Sequence, residues 1–201
     1  MNEVIPGLYV GGLSSAFNKK QLTENKIRAI ISICSGTGGH HFPSNFVVLH
    51  LNLHDSKDQK IIDQFLLTNN FIHTHRLKNE NVLVHCLAGV SRSVSICAAY
   101  LMTVTNLNYK RAIYFIKSRR YEAWPNLGFM NQLKEFGDKL LLEEKKRLYE
   151  HFSESQSVDY IELYKKDCQF SNCLKIESKN SFLSIFDEDM LEGEELPDDL
   201  D

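Results

Sequence analysis

Cys86 and Arg92 stand six positions apart in the run His85-Cys86-Leu87-Ala88-Gly89-Val90-Ser91-Arg92-Ser93. These residue types at this spacing can bind an anion and attack it. The run Asn81-Val82-Leu83-Val84 before them reads as a buried strand, and residues 93–101 after them read as a helix. A strand, a tight loop and a helix N-terminus together aim backbone N–H groups at a phosphate. The loop positions Leu87, Ala88, Gly89, Val90 and Ser91 would supply those amides, and Gly89 lets the backbone turn them inward.

An ordinary thiol, with a pKa of about 8.5, is mostly protonated at neutral pH. A helix N-terminus and a fixed cation both favour the thiolate. Cys86 then becomes a nucleophile able to attack phosphorus. The planar fork of Arg92 binds two phosphoryl oxygens, which lysine cannot do with the same geometry. Ser93 is placed to hydrogen-bond the Cys86 sulfur and to stabilise it as a leaving group. His85 is expected to fix the loop through backbone contacts rather than to act as a base. A purely structural cysteine would leave Arg92 without a task.

Residues 85–93 resemble the signature of the cysteine-based protein phosphatases. The form Ala88-Gly89-Val90-Ser91-Arg92-Ser93 is similar to that of the dual-specificity branch. Ile5-Pro6-Gly7-Leu8-Tyr9-Val10-Gly11 resembles the opening strand of such domains. Asn126-Leu127-Gly128-Phe129 with Gln132-Leu133 resembles the segment packed behind the loop, which makes Asn126 a supporting residue. The resemblance spans about residues 4–140. It is strongest to the small atypical dual-specificity phosphatases, in the subgroup of the JNK-stimulating phosphatase.

The resemblance implies a general acid on a separate loop upstream of the cysteine. Asp55 and Asp58 are the candidates. Asp55 directly follows an apparent strand and fits the family position better, whereas Asp58 reads as a helix-start residue. The same carboxylate would later activate water against the cysteinyl-phosphate. No metal or other cofactor is expected, because the loop amides and Arg92 supply the electrostatics. The implied substrates are phosphoproteins carrying phosphotyrosine, phosphoserine or phosphothreonine, with those of MAP-kinase pathways as candidates. The loop positions Leu87, Ala88 and Val90 are apolar, unlike the lysine-bearing loops of phosphoinositide phosphatases, and RNA-directed members carry a different loop. No nucleic-acid partner is expected. Two other classes stay open: a catalytically weak phosphoprotein-binding module, and a scaffold whose tail carries the biology.

The chain has 201 residues, 43% of them hydrophobic, which suits one domain plus an extension. No apolar run is long enough to span a membrane, and no signal peptide opens the sequence. Met1-Asn2-Glu3 lacks the second-position glycine that N-myristoylation needs. Five cysteines without a secretory signal point to a reducing compartment, cytoplasmic or nuclear. Cys168 and Cys173 read as ordinary thiols, and Cys97 as core. Residues 181–201 hold nine acids and no Lys or Arg, which leaves residues 1–180 with 23 basic and 17 acidic side chains, a formal +6. A positive domain suits an anionic substrate.

The positioning elements alternate. Strands are expected at 8–10, 27–33 and 46–53. Helices are expected at 14–24, 58–77 and 109–119, and beyond an Asn126 cap. Ile61, Phe65, Leu66 and Ile72 should line one face of the second helix. Phe129, Leu133, Phe136 and Leu140 should line one face of the last. Gly36 to His41 reads as a solvated turn cluster. The pattern predicts an α/β fold, a central and mostly parallel twisted sheet flanked by helices. A catalytic domain over 1–140 is followed by an extension over 141–201. That extension begins as a helix running outward and ends as an acidic, disordered tail.

Overall fold

The computed structural model describes residues 1–35 and 42–179; the side chains of 153–161, 164 and 171–179 are outside the described set. The Gly36–His41 turn cluster, the acidic tail over 181–201 and the side chain of Cys173 therefore lie outside the described residues.

Five strands form one sheet in the order β1-β2-β5-β3-β4. They are β1 (Asn2–Ile5), β2 (Leu8–Gly11), β3 (Ile27–Ile33), β4 (Val47–Leu51) and β5 (Asn81–His85). Among the described residues, only the β1–β2 pair is antiparallel. The β-branched run of β3 buries every residue except Arg28, as a strand covered on both faces must. The sheet ends in register: Gly11 pairs with His85, and Ser32 pairs with His85 from the other side. The chain leaving β5 thus emerges between the ends of β2 and β3.

Helices cover both faces. On one side lie the short α1 (Leu13–Ala16) and α2 (Lys19–Glu24), whose Ala16 and Leu22 pack with Tyr9, Ile30 and Leu83. A single helix over 14–24 is corrected to these two. The chain breaks before Asn18, whose side chain accepts from the Gln21 N–H and caps the second. On the other side lie α3 (Phe65–Leu77), α4 (Arg92–Val104), α5 (Tyr109–Arg119), α6 (Leu127–Lys139) and α7 (Leu141–Lys179). All thirteen residues of α4 are buried, which makes it the central helix of the larger core.

The 58–77 helix begins later than expected, at Phe65, after a 3-10 turn over Ile62–Gln64. The backbone N–H groups of Ile61 and Ile62 both donate to Gln132 Oε1, at 2.8 and 3.0 Å, and hold residues 54–60 as a loop. Ile61, Phe65 and Ile72 are buried, but Leu66 is exposed, as is Leu140 beyond the end of α6. Strand β4 stops at Leu51 rather than residue 53.

The extension does not run outward. Glu144, Leu148, Phe152 and Asp167 of α7 are buried against the domain. Asp167 takes a two-pronged ion pair from Arg76 of α3 at 2.7 Å for each prong, and Arg76 also donates to Tyr100 Oη and to the Pro6 carbonyl. Removing one partner of a pair this deep leaves an uncompensated buried charge, a loss of about 3–5 kcal/mol.

Candidate active site

The loop between β5 and α4 closes on a glycine. Gly89 has φ +73°, a left-handed conformation, and a Cβ there would lie 2.5 Å from the Gly11 carbonyl carbon and 2.6 Å from its oxygen. The loop is therefore pressed against the end of β2, and only glycine fits. Leu87 and Ala88 are exposed at the rim, Val90 is half-buried, and Ser91 is buried.

Cys86 lies at the floor of the loop, 1% exposed. Its sulfur accepts from the Gly89 N–H at 3.2 Å and lies 3.4 Å from the Ser93 hydroxyl. Burial pushes the thiol up. The Ser93 hydroxyl, the Ser93 and Gly89 amides and the Arg92 charge outweigh that, so its pKa falls below the ordinary thiol value. Desolvation instead pushes the thiols of Cys34 and Cys97 up. Cys86 is thus primed where its neighbours are not.

Ser91 occupies the N-cap position of α4, yet its side chain makes no capping bond. Its hydroxyl donates instead to Asp55 Oδ1 at 2.7 Å. The first turn of α4 keeps its amides for an anion. Arg92 is also buried, and its Nη1 donates to the Leu53 carbonyl at 3.1 Å, just past the end of β4. Its Nε–H is buried without a hydrogen-bond partner among the described residues and lies 3.6 Å from Asp55 Oδ2. A buried unsatisfied donor of fixed positive charge suits an incoming oxyanion.

Of the two candidate acids, the fold brings one to the loop. Asp55 Oδ1 accepts from Ser91 Oγ and from Asn126 Nδ2 at 2.8 Å. Asp58 is exposed and stands in the irregular loop before the 3-10 turn, so the helix-start reading of Asp58 is corrected. Asn126 has two tasks. Its Oδ1 caps α6 through the Phe129 N–H at 3.0 Å, and its amide nitrogen holds Asp55. His85 is fully buried, with Nδ1 3.3 Å from the Cys86 carbonyl oxygen and its ring edge-on to Phe42.

Helix α6 does more than pack behind the loop. Gly128 touches the acid-bearing segment so closely that a Cβ would lie 2.1 Å from the Lys57 carbonyl oxygen. Gln132 Nε2 donates to the Gln59 carbonyl at 2.9 Å, while its Oε1 takes the two N–H groups before α3. Gly128 and Gln132 thus fix the segment that carries Asp55. The resembling segment contains both residues, but their partners lie 70 or more positions away. Among the described residues, no helix is long and apolar enough to cross a membrane.

Comparison with known proteins agrees with this geometry. The family model described as the dual specificity phosphatase catalytic domain matches residues 8–139. The chain is 41% identical over 159 residues to dual specificity protein phosphatase 22-B of Danio rerio, covering 79% of this chain and 86% of that one. It is 37% identical over 159 residues to human dual specificity protein phosphatase 22, covering 79% and 85%. Among solved structures, that of DUSP15 superposes with a TM-score of 0.72 at 40% identity, covering 76% of this chain and 97% of that one. By fold, loop and sequence, the chain belongs to the dual-specificity protein phosphatase family.

Proposed function

We propose that this protein hydrolyses phosphotyrosine and phosphoserine or phosphothreonine in proteins through a cysteinyl-phosphate on Cys86. The observation that carries this reading is the sulfur itself. It is buried, its pKa is lowered, and it accepts from the Gly89 N–H close to the charge of Arg92, whose Nε–H has no hydrogen-bond partner among the described residues. The residues of the loop and its surroundings take the following roles.

The Cys86 thiolate attacks phosphorus while Arg92 and the loop amides of Leu87 to Ser91 bind the equatorial oxygens. The P–O bond to the leaving group breaks, and Asp55 protonates the departing oxygen. The Ser91 hydroxyl and the Asn126 amide, both donating to Oδ1, fix the Asp55 carboxyl at the loop. Asp55, now a carboxylate, takes a proton from water as the water oxygen attacks the phosphocysteine. The S–P bond breaks, and the Ser93 hydroxyl donates to the leaving sulfur. His85 steadies the loop from below. The catalytic unit in this reading is residues 1–140, with α7 of the extension as a brace.

The test is hydrolysis of a small aryl phosphate with a chelator present. Wild type should turn over, and Cys86→Ser should lose activity by at least about 10⁴-fold while still binding inorganic phosphate. A wild type that binds phosphate but does not turn over would instead make the protein a phosphoprotein-binding module.

A further inference from the structure

The amides of an anion-binding loop point inward only if its carbonyls point outward and find donors there. All four carbonyls of Leu87 to Val90 do. The Leu87 oxygen accepts from the Leu13 N–H at 3.0 Å, and the Val90 oxygen accepts from the Trp124 N–H at 2.9 Å. The two in the middle are both taken by one side chain, that of Arg120, just past α5. Its Nη2 donates to the Ala88 oxygen at 3.0 Å and its Nε to the Gly89 oxygen at 2.7 Å. Its remaining Nη1 donates to Asn2 Oδ1 at 3.0 Å, which ties the fork to β1.

We propose that Arg120 is a positioning residue that sets the orientation of the catalytic loop, and through it the state of the Cys86 sulfur. The Ala88 and Gly89 carbonyls belong to the peptide units whose N–H groups are those of Gly89 and Val90. The Gly89 N–H is the one that reaches Cys86 Sγ. Turning either carbonyl inward would turn the corresponding N–H out of the nest. Gly89 is the position where the backbone most easily flips, because its positive φ is open to several conformations in a glycine. A backbone donor cannot serve both carbonyls at once. A guanidinium can, since its N–H groups are held in one plane at fixed angles.

This inference rests on Cys86 being the nucleophile, and its test keeps the two apart. In wild type, Arg120→Ala and Arg120→Lys, three measurements are made: kcat and KM for an aryl phosphate, KM for a doubly phosphorylated peptide, and the pH dependence of Cys86 alkylation by iodoacetate. Thermal unfolding of each variant shows whether it is folded. Arg120→Ala should lower kcat on the order of 10- to 100-fold and move the alkylation midpoint to higher pH. Arg120→Lys should behave like Arg120→Ala, because a single ammonium keeps the charge but cannot span both carbonyls.

Three results would overturn the proposal. Rescue by lysine would mean that the charge alone matters. An unchanged kcat and midpoint with a lower unfolding temperature would mean a merely structural role. An unchanged aryl phosphate reaction, with a raised KM only for a doubly phosphorylated peptide, would make Arg120 a second phosphate contact. If wild type shows no turnover, the nucleophile reading fails, but the alkylation midpoint still reports on Arg120.

Discussion

Arg92→Lys should lower kcat/KM for an aryl phosphate by roughly 10³-fold, with the fold intact. The charge survives the substitution, so the loss measures geometry. The guanidinium is anchored from behind, with Nη1 on the Leu53 carbonyl, and its buried Nε–H lies 3.6 Å from Asp55 Oδ2 with no hydrogen-bond partner among the described residues. An ammonium on a flexible stem can keep the contact to Leu53 or reach an anion, but cannot do both in one plane. Part of the loss should appear in binding: inorganic phosphate should inhibit the variant more weakly. The rest should appear in kcat, because the trigonal arrangement of oxygens in the transition state matches the fork better than the ground state does. Steady-state kinetics with phosphate as inhibitor separate the two.

Asp55→Asn should lower kcat by about 10²- to 10³-fold. The rising limb of the pH profile belongs to a different group. Cys86 must be a thiolate, so activity rises with pH as its proton leaves, at a pH below that of an ordinary thiol because its pKa is lowered. Asp55 has to hand a proton to the departing oxygen. Asparagine preserves the hydrogen bonds from Ser91 and Asn126 to Oδ1 but has no proton to give. The rising limb set by Cys86 should therefore stay, while turnover falls at every pH. Asp58→Asn should leave kcat unchanged, since the hydrogen bonds from Ser91 and Asn126 go to Asp55 and not to Asp58. The loss in Asp55→Asn should also shrink with substrates whose leaving groups are strongly acidic, because these depart without help from a proton.

The loop was readable in the sequence because its chemistry is contiguous: Cys86, Gly89, Ser91, Arg92 and Ser93 lie within eight consecutive positions, between a strand and a helix that announce themselves by pattern. What escaped was whatever depends on a distant partner. Ser91 at the start of α4 would ordinarily cap that helix, and nothing local reveals that its hydroxyl turns to Asp55, 36 positions upstream. Asn126 was readable as a cap, but its other bond, to Asp55 71 positions away, was not. The apolar spacing over 58–77 suggested one helix. Tertiary structure overrode it, because Gln132 captures the two N–H groups that a helix would have used. The Glu- and Lys-rich start of α7 read as a helix running outward. Glu144 is in fact buried, satisfied by Asn69 and Arg147, and Asp167 is buried against Arg76. Charge on a helix signals solvent only when no counter-charge waits beneath it.

The central claim is a covalent intermediate on one sulfur. Ser93→Ala removes the hydroxyl 3.4 Å from that sulfur and should slow the second step more than the first, so the intermediate accumulates. Acid-quenched turnover of an aryl phosphate by this variant, followed by peptide mass spectrometry, should show one phosphoryl group on the peptide containing Cys86 and none on the Cys86→Ser, Ser93→Ala double variant. Turnover that proceeds with Cys86 unmodified, or a phosphoryl group found on another side chain, would contradict the account.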